Sequence, residues 1–334
     1  MSMPYRLGAI GVGGNSAGHL RRFLSMPEVD VVGLADPSDT SIANARSNVE
    51  GLDEVPVYAD WRDLLAATDL ELALVSTPHT LHYEHVIGAL DAGLHVLCEK
   101  PLAHSPELAQ EIADHAKALG RYVVVGFQRR FSPGYTYMRD RLRSSDMGDI
   151  THVQASQWQA WIGAARGKWR STLALGGGGQ LSDSGSHLMD MLLWTTGLRI
   201  VEVDARMRTY DLEVEVDGAA VLLFENGAIG TLSIIGTGHT FGERLAVVAG
   251  GGAIRADWAS GGVEVIYEDD LEAKVTREVE GLSGGSNPDD HFLAVVSGAA
   301  ANESSPEDSV HLLEVLAAIR QSSVSGQREV VRRT

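Results

Sequence analysis

Apolar residues in the first third of the chain come in short blocks, each ending at glycine, proline or an acidic residue. Residues 7–11, 29–35, 72–76 and 95–98 read as buried strands, because short apolar runs bounded by breakers fit a parallel sheet covered on both faces. Helical periodicity fills the gaps at about 16–26, 60–67, 79–90 and 106–119, and Gly93 and Gly120 stand where the last two must stop. Strands alternating with helices predict a doubly wound parallel sheet. Beyond residues 122–126 the pattern changes to longer alternating runs at 151–158, 201–208, 216–224, 228–235, 245–249, 253–258 and 263–267. Asn226-Gly227, between two of these runs, is a strong hairpin signal. The pattern therefore predicts an α/β chain: a doubly wound parallel domain over residues 1–124, then an α+β domain over 125–334 with a large, mostly antiparallel open sheet. Helices at about 288–297 and 306–323 are expected against that second sheet, although C-terminal helices can also return to the first domain.

The first strand runs into Gly11-Val12-Gly13-Gly14-Asn15-Ser16-Ala17-Gly18-His19. Glycines at 11 and 13 allow a tight turn and close approach of a pyrophosphate to the following helix N-terminus. Position 16 holds serine where the dinucleotide fingerprint has glycine or alanine, so the pattern alone also fits a glycine turn that binds nothing. The second strand ends at Asp36, twenty positions after Ser16, the spacing at which a carboxylate reaches ribose hydroxyls. An aspartate there repels a 2′-phosphate and favours NAD over NADP, and Pro37-Ser38 brings no arginine to reverse this. The bland reading of Asp36 is a helix cap, a role open equally to Ser38 and Asp39.

Two further segments carry chemistry. The strand at 95–98 ends in Glu99-Lys100-Pro101, with a candidate cis bond at Lys100-Pro101. Ligands bind outside the carboxyl ends of the strands in open α/β sheets, which places Lys100, one of only four lysines, where acid/base work is done. The second segment runs from Gly176-Gly177-Gly178-Gly179 through Asp183, His187 and Asp190 to Gly197. Read as one helix, it places Asp183, His187 and Asp190 on one face, and a histidine flanked by carboxylates can accept a proton near neutral pH. The alternative is a polar stripe that binds nothing. His79, His82 and His85 are spaced by three, but no carboxylate or cysteine completes a ligand set, so no metal site is expected.

Composition narrows the classes. The formal charge of −18 argues against nucleic acid as a partner. No apolar run approaches a membrane span or a signal core, and the single cysteine, Cys98, suits a reducing, cytoplasmic setting.

In this order, Val75-Ser76-Thr77-Pro78-His79-Thr80-Leu81-His82, then Ala89-Leu90-Asp91-Ala92-Gly93-Leu94-His95-Val96-Leu97-Cys98-Glu99-Lys100-Pro101, and the 176–190 segment resemble the Gfo/Idh/MocA oxidoreductases over nearly the whole chain. The resemblance implies a Rossmann domain, a substrate domain that assembles homodimers or homotetramers through its sheet, and a nicotinamide cofactor. It implies Gly11, Gly13, Gly14, Asn15, Ser16, Asp36, Thr77, Pro78, His82, Glu99 and Lys100 as cofactor contacts. Catalysis would fall to Lys100, Asp183 and His187, with the histidine as proton acceptor. Arg129, Trp158, Lys168, Trp169, Arg170 and Asp190 are expected towards a carbohydrate or cyclitol substrate, with Trp161 and His239 further candidates of the same kind. The expected activity is NAD-dependent hydride transfer at a CH–OH group. The alternatives are a glycosidase that oxidises transiently and a non-catalytic dinucleotide sensor.

Overall fold

The computed structural model describes residues 3–67, 69–144, 147–259, 262–270, 275–278 and 285–334. The chain divides into two compact units, one of residues 1–103, 107–126 and 288–307, the other of residues 104–106, 127–287 and 308–334.

In the first unit, β1 (Tyr5–Ile10), β2 (Val29–Ala35), β3 (Val57–Tyr58), β4 (Leu72–Val75), β5 (His95–Cys98) and β6 (Val123–Val125) form a parallel sheet in the order β3-β2-β1-β4-β5-β6. The strands are short and apolar throughout because both faces are covered. Leu7, Leu34, Leu72, Leu74 and Leu97 are fully buried, with Leu20 and Phe23 of helix α1 (Ser16–Ser25) packed in the same core. The order reverses between β1 and β4, which is the switch point where such sheets bind ligands. Register there is direct: Ile10 lies beside Val75, and Val75 beside Cys98. Their three following segments, starting at Gly11, Ser76 and Glu99, therefore leave the sheet at one edge. Helix α2 (Asp39–Asn48), which the sequence pattern does not announce, starts at Ser38, whose hydroxyl accepts the Ser41 amide at 3.2 Å. Its weak amphipathicity explains the omission, since only Ile42 and Ala45 are buried.

One C-terminal helix takes the alternative its pattern leaves open and returns to the first unit. Pro288–Val296 packs in the first unit, where Phe292 and Val295 join the core around Leu97 and Val124. An amphipathic pattern states that one face is buried but not against which sheet.

In the second unit, β7 (Ile150–Trp158), β8 (Ile200–Arg208), β9 (Asp217–Phe224), β10 (Ile229–Ile235), β11 (Gly242–Ala249), β12 (Gly252–Ala259), β13 (Gly262–Asp270), β14 (Val275–Glu278) and β15 (Glu329–Val330) form one sheet, ordered β14-β13-β12-β11-β7-β10-β9-β8-β15. Among the described residues, the β7–β10 pair is the only parallel one in this sheet. Gly227, with φ +87°, turns the β9–β10 hairpin. A buried helix, Gly185–Thr196, lies against β7 and β11. The opposite face leaves Val221, Ile229 and Val248 exposed in adjoining strands. Among the described residues, no helix is long and apolar enough to cross a membrane.

Candidate active site

The turn after β1 is built for close approach. Gly11 has φ +84°, and a Cβ there would lie 2.6 Å from the Ser76 carbonyl oxygen, so only glycine fits. At Gly13 and Gly14 a Cβ would meet nothing within 4 Å, which leaves open space over the start of α1. That helix carries no acidic residue in its first turn and Asn15 makes no side-chain cap; the Ser16 amide is bonded to the Gly13 carbonyl at 3.1 Å, and the positive end of the helix dipole remains to attract an anion. Ser16, the departure from the fingerprint, is fully buried and directs its hydroxyl to the Gly13 carbonyl at 2.6 Å. The serine thereby fits the tight packing expected of glycine. Asp36 is fixed at the end of β2, accepting the amides of Val12 at 3.0 Å and Ser38 at 2.9 Å. Ser38, not Asp36, caps the following helix. These features fit a dinucleotide: an anion-binding helix end, a cradle without side chains, and a carboxylate at the ribose position.

Along the same edge, Lys100 is 6% exposed, and the Lys100-Pro101 bond is cis. Glu99 and His82, both expected at the cofactor, are committed to the protein instead. His82 is fully buried, with Nδ1 2.7 Å from the Pro101 carbonyl and Nε2 2.8 Å from the Thr77 carbonyl. It braces the two loops against each other, and burial pushes its pKa down. Thr77 pairs its hydroxyl with His85 Nδ1 at 2.9 Å. Burial likewise lowers the His85 pKa, to about 4, and the ring packs edge-on to Trp61. Among the described residues, no group of three or more His, Cys, Asp or Glu could hold a metal.

Glu99 places one carboxylate oxygen 2.8 Å from His19 Nε2 and accepts the Lys100 amide on the other at 3.1 Å. His19 Nδ1 is 2.6 Å from Asp289 Oδ1, and Arg22 also pairs with Asp289. Burial opposes charge on His19, but hydrogen bonds to Asp289 and Glu99 prevail and raise its pKa to about 9. Stabilisation from this ring is complete below its unfolded pKa of 6.5 and disappears as pH rises through about 9. Unfolding free energy is therefore expected to fall by about 3 kcal/mol between pH 6.5 and 9.5 relative to a His19→Ala variant, as read by urea titration. Parallel pH curves for the two proteins would contradict this. The sequence pattern does not point to His19 or Asp289; its one local signal is the position of His19 a turn past the glycine loop.

In the second unit the glycine run breaks what had read as one helix. Leu173–Gly176 is a single turn ended by Gly177 at φ +67°, and the main helix starts only at Gly185. Gly179 is pressed against Glu215, where a Cβ would fall 1.8 Å from the carbonyl oxygen, so the backbone runs across a neighbouring segment rather than coiling. Asp183 therefore sits in the turn before the helix, while His187 and Asp190 are on it. Asp183 accepts Trp161 Nε1 at 2.9 Å and pairs with Arg170 Nε at 3.1 Å. The Arg170 guanidinium lies 4.2 Å over the Trp169 ring. His187 is 7% exposed, and its ring and that of Phe127 stand nearly perpendicular with centroids 6.3 Å apart.

Of the expected substrate contacts, Trp161, Trp169 and Arg170 gather at Asp183. Trp158 is half-buried over Gly242 on the next strand, while Lys168 and His239 are exposed. Arg129 and Asp190 have other tasks. Arg129 is buried in an ion pair with Glu243, which also accepts Tyr135 Oη at 2.8 Å and Gln157 Nε2 at 2.7 Å. Asp190, 2% exposed, receives Arg130 Nη2 at 2.5 Å and Nε at 3.0 Å. Both carboxylate–arginine pairs are closed within the protein, and each joins residues more than fifty positions apart.

Residues 5–127 match a family model described as an oxidoreductase family with an NAD-binding Rossmann fold, and residues 135–255 match the C-terminal domain model of the same GFO/IDH/MocA family. The chain is 28% identical to the rhizopine catabolism protein MocA of Rhizobium meliloti over 84% of this chain and 88% of that protein. It is 27% identical to an inositol 2-dehydrogenase of Corynebacterium glutamicum over 62% of this chain and 58% of the relative. The crystal structure of an oxidoreductase domain protein from Kribbella flavida superposes with a TM-score of 0.85 at 26% identity, covering 100% of both chains.

Proposed function

The chain belongs to the GFO/IDH/MocA family of NAD-binding oxidoreductases, and on that premise we propose that it oxidises, or in reverse forms, a CH–OH group of a sugar, cyclitol or related polyol. The observation that carries the reading is the common register of Ile10, Val75 and Cys98. It brings the glycine turn and Lys100 to one sheet edge, so that a lysine stands beside the dinucleotide cradle. The inositol dehydrogenase among the relatives supports a polyol as substrate.

NAD, when bound, supplies the two-electron hydride chemistry. Gly11, Gly13, Gly14, Asn15 and Ser16 hold the pyrophosphate at the α1 N-terminus, and Asp36 accepts the ribose hydroxyls. Lys100 Nζ donates to the substrate oxygen and stabilises the negative charge that grows on it as its proton leaves. Within the second unit, His187 is the proposed proton acceptor. Asp183, held by Trp161 and Arg170, keeps the turn before His187 in place, and the Trp169–Arg170 stack offers a flat surface to a sugar ring. The exposed face carrying Val221, Ile229 and Val248 supports assembly as a homodimer or homotetramer, which sedimentation equilibrium tests.

The decisive experiment is NAD⁺ reduction by the purified protein across pools of polyols, aldoses, cyclitols and sugar acids. Activity in at least one pool is expected, and silence in all pools in both directions would overturn the reading. Asp36 provides a separate check. Asp36→Asn removes the charge but keeps an acceptor for the Val12 or Ser38 amide. It is expected to shift the NADP⁺/NAD⁺ ratio of kcat/KM upward by about tenfold. An unchanged ratio would remove Asp36 from the selection of cofactor.

A further inference from the structure

We infer that His19 is a positioning residue: its imidazolium clamps Glu99, and through Glu99 the main chain at Lys100, to the helix that receives the dinucleotide. The inference rests on the proposed role of Lys100. Its geometry, however, lies wholly within the first unit.

His19 is 4% exposed and sits on α1 one turn after the glycine loop. Its two ring nitrogens face two carboxylate oxygens, Glu99 Oε1 at 2.8 Å and Asp289 Oδ1 at 2.6 Å. A carboxylate oxygen accepts, so both nitrogens donate and the ring carries both protons. Arg22 Nη2 lies 3.3 Å from His19 Nδ1, cation beside cation, and Asp289 between them accepts from both. The cluster is thus balanced, with His19 and Arg22 positive and Glu99 and Asp289 negative. Lys100 and His82 also act on Glu99, and the neighbouring Cys98 thiol interacts with it as well.

Glu99 has one oxygen for His19 and the other for the Lys100 amide. A short chain of bonds therefore runs from α1 through His19 and Glu99 to the backbone that aims Lys100. Loss of the Nε2 proton leaves Arg22 on Asp289 but takes from Glu99 its side-chain donor, leaving only the Lys100 amide on a mostly buried carboxylate. A buried carboxylate without its partner rotates towards water or takes up a proton, and either change releases the Lys100 amide. His19 touches no reacting atom, so it acts through Glu99 on the alignment of Lys100.

The test uses the full-length protein with His19→Ala and His19→Gln, since glutamine can restore one donor to Glu99. Three readouts apply: hydrogen exchange of the Lys100 amide, NADH affinity by fluorescence, and the pH profile of kcat for whichever polyol the wild type oxidises. In His19→Ala, the Lys100 amide is expected to lose protection and kcat to fall about 10–100-fold, as when a supporting residue behind a reactive group is removed. NADH affinity is expected to be retained, and His19→Gln to recover part of both losses. The wild-type kcat is also expected to decline as His19 deprotonates on the alkaline side, a limb the variants lack. A His19→Ala protein with a protected Lys100 amide and unchanged kcat would overturn the clamp. Should that variant fail to fold, nitrogen NMR of wild-type His19 at pH 8 decides, because a ring carrying one proton overturns the inference and a ring carrying both supports it. A wild type that oxidises no polyol would instead count against the proposed function, while amide exchange still judges the clamp.

Discussion

Replacing Lys100 with methionine is expected to lower turnover by about 10²–10⁴-fold while NADH still binds. Methionine retains most of the unbranched apolar stem, which matters because the lysine is 6% exposed and its stem contributes to packing. The substitution removes only the ammonium group, whose proposed task is to stabilise charge on the substrate oxygen as the proton departs. That charge is larger in the transition state than in the bound substrate, so the loss falls on kcat more than on KM. Dinucleotide affinity is expected to persist because the glycine turn, the α1 N-terminus and Asp36 are all upstream of the lysine and independent of its Nζ. Steady-state kinetics beside NADH fluorescence titration checks both halves. Turnover within about threefold of wild type would remove Lys100 from the chemistry, whereas loss of NADH binding would make it a cofactor anchor.

The second large effect is on stability. Arg130→Met is expected to destabilise the protein by about 3–5 kcal/mol, because it leaves Asp190 charged, buried and unpartnered by its arginine. Arg130 reaches Asp190 through Nη2 at 2.5 Å and Nε at 3.0 Å, and Asp308 through Nη1 at 2.7 Å. Its guanidinium also lies 5.5 Å from the Phe127 ring centroid and 5.8 Å from that of Trp194. Burial pushes the Asp190 pKa up, against the pull of Arg130 and, more weakly, of Arg129, so the carboxylate depends chiefly on its hydrogen-bonded arginine. Asp190→Leu alone leaves Arg130 with the half-exposed Asp308 and should cost less. The double variant Arg130→Met/Asp190→Leu should recover much of the loss, since a buried pair replaced by apolar side chains is often close to neutral. Urea denaturation of the three variants measures this. Equal losses in the single and double variants would mean that the two residues do not act as a pair. The same pair explains why Asp190 is unsuited to substrate: its oxygens are already committed, on the helix that carries His187.

Much of the architecture is written locally. Apolar runs broken by glycine and proline marked the parallel strands, since a strand covered on both faces must be apolar throughout. Asn226-Gly227 marked its hairpin because few residues tolerate a positive φ. Gly11 and Asp36 were legible for the same kind of reason: a left-handed turn and the residue ending the next strand are properties of a few consecutive positions. Periodicity failed at Asp183. Helical spacing had placed it beside His187, but the glycines before it follow Glu215 and delay the helix to Gly185.

The sequence by itself determined the alternation of strand and helix, the dinucleotide turn with its acidic partner, the Glu-Lys-Pro corner and the membership of a nicotinamide enzyme family. Only the tertiary structure decided what each charged side chain does. His19 meets Glu99 and Asp289 across 80 and 270 positions, Arg129 meets Glu243 across 114, and Arg130 meets Asp190 across 60. The physical reason is that backbone preference and hydrophobic period act over a few residues, whereas a buried charge takes whichever partner packing brings within hydrogen-bond reach.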